Sequence, residues 1–159
     1  MILWRIATET REPPADDLSG AGAAVRPGRW NEEGQRVVYA AQTLALAVLE
    51  TAAHLEDEDR LPLNRFVVRI EVPDDIWRRC DEFRPADLPP AWCAIPAGRA
   101  SVEAGAQWLN GRRSALLRVP SVLVPEECAV LVNPLHPDAA HLCARAARRF
   151  EYNRLFRRP

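Results

Sequence analysis

The chain reads as an α+β protein built on a mixed or antiparallel sheet. Three observations predict this. Short stretches rich in β-forming residues outnumber the helical ones. The helical stretches are inserted among them without the strand–helix alternation of a doubly wound fold. One segment, beginning after Thr43, is apolar on nearly every side, as in a helix buried on more than one face.

Taken in order, residues 2–7 read as a first strand. Residues 8–28 read as loop, with Pro13, Pro14, Gly20, Gly22 and Pro27 as breakers. A short strand is expected over 36–41. Thr43 is then a fitting N-cap for a helix to about residue 55. Leu44, Ala47, Val48, Thr51, Ala52 and Leu55 make one face of that helix, and Leu46, Leu49 and Ala53 carry the apolar character around it. Residues 56–59 are acidic and read as a solvated turn. Residues 65–72 alternate, with Phe66, Val68, Ile70 and Val72 opposing Val67, Arg69 and Glu71, the pattern of a half-buried strand.

Residues 74–96 are irregular, with Pro85, Pro89, Pro90 and Pro96 closing off any short helix over 75–80; a stretch of this length without regular structure is more often functional or a lid than inert. A helix capped by Ser101 and stopped by Gly111 is expected next. Strands follow over 115–119, 121–124 and 129–132, separated by Pro120 and Pro125. Residues 137–144 predict a helix and 148–152 a last strand. No internal repeat or clear linker divides the chain, and 159 residues suffice for one domain, 1–159, with its own core.

Composition narrows the function classes. With 48% hydrophobic and 27% charged residues and a net charge of −1, the chain has no global bias toward nucleic acid or anionic membrane. Every basic residue other than histidine is Arg, so an anion would be gripped by guanidinium groups, which hold phosphates bidentately. Arg5 and Glu9 interrupt the start before an apolar signal segment could form, and no uncharged run is long enough to span a bilayer. A cytoplasmic protein with reduced, buried Cys80, Cys93, Cys128 and Cys143 is therefore expected, and no metal site, since His136, His141 and Cys143 lack a carboxylate–histidine pattern around them.

Glu50 is the residue hardest to explain as structure alone. From Val37 to Leu49 the chain carries no formal charge, and Glu50 ends that run on the apolar helix. A carboxylate in such surroundings is costly unless something polar meets it. It is either half of a structural pair with an Arg or a catalytic or ribose-binding group. Gly28-Arg29-Trp30-Asn31-Glu32-Glu33-Gly34 is a turn bracketed by glycines. It is either a surface hairpin or a ligand loop in which Arg29 holds a phosphate. Tyr39 is either a core tyrosine or an aromatic wall for a planar ring. Ser121 follows Pro120 between apolar stretches; without GxSxG or a partnered His it fits a hydroxyl donor better than a nucleophile. No P-loop and no GxGxxG occurs. Arg145, Arg148, Arg149, Arg154, Arg157 and Arg158 make the C-terminal part basic. They are either a solvated face or a contact for an acidic partner or nucleic acid.

Leu3-Trp4-Arg5-Ile6, Gly28-Arg29-Trp30-Asn31 with Gly34, Val37-Val38-Tyr39-Ala40, Leu46-Ala47-Val48-Leu49-Glu50, Val119-Pro120-Ser121-Val122-Leu123-Val124-Pro125, and Asn133-Pro134 with His136-Pro137 follow one another along nearly the whole chain. In this order they resemble the RES-domain family. The resemblance implies a fold similar to that of the ADP-ribosyltransferase toxins. It also implies an NAD-consuming toxin of a bacterial toxin–antitoxin pair, neutralised by an Xre-like antitoxin. It assigns Arg29, Glu50 and Ser121 as the Arg, Glu and Ser of the family, with Tyr39 in the same pocket and Arg5 and Asn133 as further binding residues. Residues 74–98 match no motif. The chemistry implied is cleavage of the nicotinamide–ribose bond through an oxocarbenium-like ribose. An ionised Glu50 would stabilise that ribose, Arg29 and Arg5 would hold pyrophosphate, Tyr39 would stack on nicotinamide, and Ser121 would position nicotinamide or its ribose. Water, phosphate or a protein side chain as acceptor would give hydrolysis, phosphorolysis or protein ADP-ribosylation. The competing reading is a non-enzymatic module whose Arg-rich C-terminus contacts nucleic acid or an acidic protein.

Overall fold

A computed structural model describes residues 1–55 and 61–155. The strands are β1 (Ile2–Thr8), β2 (Val38–Ala41), β3 (Arg65–Glu71), β4 (Asp81–Glu82), β5 (Leu116–Pro120), β6 (Cys128–Val132) and β7 (Cys143–Phe150). They form a seven-stranded sheet in the order β4-β5-β6-β2-β1-β3-β7. Every neighbouring pair is antiparallel except β4 and β5, so the sheet is mixed. The helices are α1 (Ala21–Val25), α2 (Leu44–Ala52), α3 (Asp74–Arg78) and α4 (Arg99–Gly111). Among the described residues, no helix is long and apolar enough to cross a membrane.

Strand alternation sorts the core into layers. Leu3 of β1, Val38 and Ala40 of β2, Val68 and Ile70 of β3, Leu116 of β5 and Val130 of β6 share one buried cluster, so they define one face. The other face carries two clusters. Val37, Leu117, Val119 and Leu131 gather under Trp30, Trp92 and the α4 residues Trp108 and Leu109. Ile6, Ala41, Val67 and Phe150 gather under Leu46 and Ala47 of α2. The two clusters meet at β2: Tyr39 packs against the first, and Ala41, the next residue on that face, belongs to the second.

The α2 cap is as the sequence predicts, Leu46 N–H donating to Thr43 Oγ1 at 3.1 Å. The helix stops at Ala52, because His54 and Leu55 donate to carbonyls only three residues back. Burial on more than one side is not found. Leu46 and Ala47 are buried, whereas Ala45, Leu49 and Ala53 face solvent. An all-round apolar sequence sets no limit on how many sides find neighbours, and the sheet supplies one.

Several other expectations are corrected. Residues 8–28 include the single turn α1. Residues 74–96 hold α3, close to the short helix allowed over 75–80, and beyond it β4 and two 3-10 turns where no regular structure was expected. The α4 cap is Gly98, and Ser101 sits inside the first turn, its hydroxyl donating to Gly98 O. The helix runs through Gly111, and the left-handed C-cap position, at φ 46, falls to Arg112. Residues 121–124 form a turn and no strand, since the Ser121 hydroxyl takes the N–H groups of Leu123 and Val124 that a ladder would need. Residues 137–141 are a 3-10 turn, and β7 runs from Cys143 to Phe150 where a helix and a shorter strand were expected; pairing with β3 along its length overrides the local signal. The four cysteines are free, but Cys93 and Cys143 are exposed, unlike the buried thiols expected. The acidic turn expected at 56–59 and the arginines at 157 and 158 lie outside the described residues.

Candidate active site

Glu50 lies in the last turns of α2, on the sheet face that also carries Tyr39. It is half-buried. Ser121 meets it from the turn after β5, its Oγ donating to Glu50 Oε1 at 2.6 Å. The polarity of that bond is dictated. Ser121 Oγ already accepts the N–H groups of Leu123 and Val124, each at 3.1 Å, which occupies both lone pairs and leaves its one proton for the carboxylate. Ser121 therefore fits no nucleophile's role; its hydroxyl fixes the orientation of the Glu50 carboxyl group. Among the described residues no Arg or His pairs with Glu50, so the structural ion pair weighed for it is absent there.

Arg29 belongs to the glycine-bracketed turn, which is built around Asn31. Asn31 is 1% exposed and accepts Gly28 N–H at 2.9 Å and the Tyr39 hydroxyl at 2.8 Å on Oδ1. Its Nδ2 reaches the carbonyls of Ala23, Glu32 and Gln35. Trp30 N–H donates to the Tyr39 oxygen at 3.0 Å, so the phenol is pinned from both sides. Gly28 is required here because a Cβ would fall 2.7 Å from that oxygen. Burial raises the Tyr39 pKa above its ordinary value of 10.0, opposed by the Trp30 N–H and by the charge of Arg29. The hydroxyl stays protonated while its ring lines the face between the two clusters.

The Arg29 guanidinium is held by the segment that matched no motif. Its Nη1 donates to Trp92 O at 2.9 Å and Ala94 O at 2.8 Å. Trp92 stacks on Trp30 with ring centroids 6.2 Å apart, and Phe83 lies 6.0 Å from Trp30. The irregular stretch thus orients Arg29. Nε and Nη2 make no contact with protein acceptors among the described residues and are available to an anion.

The two remaining residues assigned by resemblance lie elsewhere. Arg5 sits between Leu3 and Ala7 on β1 and so shares their face, opposite Tyr39; its Nη1 donates to Asp17 O at 3.1 Å. Burial lowers its pKa, Asp17 counters this, and Arg65 adds to it. Asn133 follows β6 at the end away from Ser121, which pairs near Cys128. It is buried, donates to Leu109 O and accepts Leu135 N–H. There it borders a cavity of about 570 Å³ lined also by Arg36 and Arg112. The structure thus joins Glu50 with Ser121, and Arg29 with Tyr39, on one sheet face, and leaves Arg5 and Asn133 outside this group. Asn31 and the 92–94 carbonyls were not singled out from sequence. A turn Asn two residues after Arg29 was the available signal for the first, and backbone carbonyls leave none.

The RES domain family model matches residues 2–153. A Sphingobium sp. (strain YBL2) protein named Prs ADP-ribosylating toxin is 53% identical over 150 residues, spanning 94% of this chain and 92% of the relative. A Yersinia enterocolitica protein named Toxin Res is 36% identical over 137 residues, 86% of each chain. The crystal structure of the Mycobacterium tuberculosis (M.tuberculosis) MbcT-MbcA toxin-antitoxin complex contains a chain similar in fold, with a TM-score of 0.64 at 18% identity, covering 91% of this chain and 80% of that one. With the family match running through both halves of the site, from Arg29 to Ser121, this chain belongs to the RES domain family.

Proposed function

We propose that this protein is an NAD-consuming enzyme, the toxin of a bacterial toxin–antitoxin pair, which cleaves the nicotinamide–ribose bond at Glu50 and passes ADP-ribose to a protein acceptor. The observation that carries the proposal is the Glu50 carboxylate, half-buried, unpaired by any described Arg or His, and fixed by a hydroxyl that can only donate to it. Such a group is preorganised for the positive charge that develops on ribose as nicotinamide leaves. Arg29 binds the pyrophosphate through Nε and Nη2, and the Tyr39 ring stacks on the nicotinamide. Asn31 and Ser121 hold these groups and touch no substrate. Arg5 and Asn133 take no part.

The name of the Sphingobium relative supports a protein acceptor, that of the Yersinia relative supports a toxin, and the mycobacterial complex supports an antitoxin partner; that this partner is of the Xre type is part of the proposal.

The test is nicotinamide release from NAD by the purified chain, with folding checked by circular dichroism. Glu50→Ala and Arg29→Ala are expected to lower turnover by at least about 100-fold, the scale of losing a preorganised charge contact, and to relieve growth arrest on expression. Full turnover in folded Glu50→Ala would reject the reading. Radiolabelled NAD in lysate identifies the acceptor: label on a protein band supports the protein acceptor, and free ADP-ribose or its phosphate alone overturns that part.

A further inference from the structure

The turn that carries Ser121 touches α2 at a second point, which the chemistry above leaves unused. Thr43, the α2 N-cap, donates its hydroxyl proton to Glu127 Oε2 at 2.8 Å while accepting Leu46 N–H at 3.1 Å. Glu127 closes the Ser121 turn through its backbone: Ser121 N–H donates to Glu127 O at 3.0 Å, and Glu127 N–H donates to Val124 O at 2.9 Å. The turn is thus bonded to α2 at Thr43 and again at Glu50, about 10 Å apart at the helical rise.

One contact fixes a distance; a second, at the other end of the helix, restricts motion about the first. Leu46 and Ala47 seat α2 on the sheet, but its outer side meets solvent at Ala45, Leu49 and Ala53, so the two polar contacts limit how far the helix can rock on that seat. The two contacts share a design. In each, a hydroxyl has its lone pair turned to backbone N–H and its proton turned to a carboxylate, so the carboxylate sets the direction of the bond. Glu127 is on the loop and Glu50 on the helix, so the bonds run in opposite directions between the same two pieces of chain.

We propose that Glu127 and Thr43 are positioning residues for the Glu50 chemistry: their bond holds α2 at the angle that presents Glu50 to the reacting ribose. This rests on the reading of Glu50 given above. Neither residue need touch substrate, so the effect falls on kcat and leaves KM for NAD in place.

The experiment measures kcat and KM for nicotinamide release, with thermal midpoints, in Glu127→Ala, Glu127→Gln, Thr43→Val, Thr43→Ser and the Glu127→Ala/Thr43→Val double variant, beside Glu50→Ala. Expected for Glu127→Ala and Thr43→Val is a kcat loss of about three- to tenfold with KM within about twofold, the scale of one misplaced contact. Glu127→Gln keeps an acceptor for the Thr43 hydroxyl and Thr43→Ser keeps the hydroxyl, so both restore kcat to within about twofold. The double variant is no slower than the slower single. Normal kcat in Glu127→Ala, with Glu50→Ala inactive, overturns the positioning role and leaves the Glu50 reading standing. A loss that neither conservative variant restores, or that only tracks the amount of folded protein, overturns it too. Full activity in Glu50→Ala overturns both.

Discussion

Two hydroxyl groups hold much of the candidate site in place, and each is saturated by the protein. Ser121 accepts two backbone N–H groups and donates to Glu50. Replacing it by Ala leaves three groups short of a partner. Ser121→Ala is expected to lower unfolding free energy by about 1–3 kcal/mol in urea titrations and to slow nicotinamide release more than it raises KM. Tyr39 is the second. Its pKa lies above 10.0 in the fold because burial penalises the phenolate. An unfolded tyrosine ionises near pH 10, so above that pH the unfolded chain releases a proton that the folded chain keeps, and stability falls as pH rises. Cys80, pushed up from 9.0 to about 11 by burial, adds the same sign beginning near pH 9. Tyr39→Phe is expected to flatten the slope between pH 10 and 11 by about 1 kcal/mol per pH unit. An unchanged slope in denaturant melts across that range would contradict the burial of the phenol.

At the scale of elements, α4 sets the position of the Arg29 turn. Gly105 lies against the Trp30 backbone so closely that a Cβ would overlap its carbonyl oxygen. Gly105→Ala forces helix and turn apart, and neither is the free end of a side chain that could swing away. A loss of about 1–3 kcal/mol in stability is expected, together with weaker NAD binding by calorimetry, since the displaced turn carries Arg29. The other end of the same helix offers the opposite sign. Arg112 occupies a left-handed position at φ 46 and is exposed. Glycine adopts that conformation without a Cβ penalty, so Arg112→Gly is expected to raise unfolding free energy by about 0.5–1 kcal/mol. A fall in the thermal midpoint would show that the Arg side chain contributes more than its backbone costs.

Across the whole molecule, one sheet face divides into two apolar clusters, and the candidate site residues lie on either side of that division. The α4 and Trp30 side brings Arg29 and Tyr39, the α2 side brings Glu50, and β2 runs between them. The strands beneath are buried on both faces in β1, β2 and β6, whereas β7 is an edge strand with Arg145, Arg148 and Arg149 exposed. Hydrogen exchange is expected to be slowest in β1, β2 and β6 and faster in β7, because backbone opening follows exposure and neighbour number. Equal protection across all seven strands would contradict this layering.

Much of the frame was legible because local chemistry specifies it. Residues 65–72 alternate, Thr43 offers a cap oxygen before an apolar run, and prolines bracket the strand ends. Glu50 stood out because a charge ending an uncharged run is a local fact, and Arg29, Tyr39 and Ser121 came with it through their order along the chain. The remainder depended on partners far away in sequence. Residues 121–124 have strand composition, yet a single hydroxyl captures their donors and a distant carboxylate takes its proton. Residues 143–147 carry no strand pattern and become one because β3 lies beside them. Arg5 and Asn133 look like their neighbours in the motif order, but strand alternation turns one to the opposite face and strand length sends the other to the far end of β6. Composition and spacing settle which residues are able to do chemistry; which of them meet is settled by pairing and register, which no window of sequence contains.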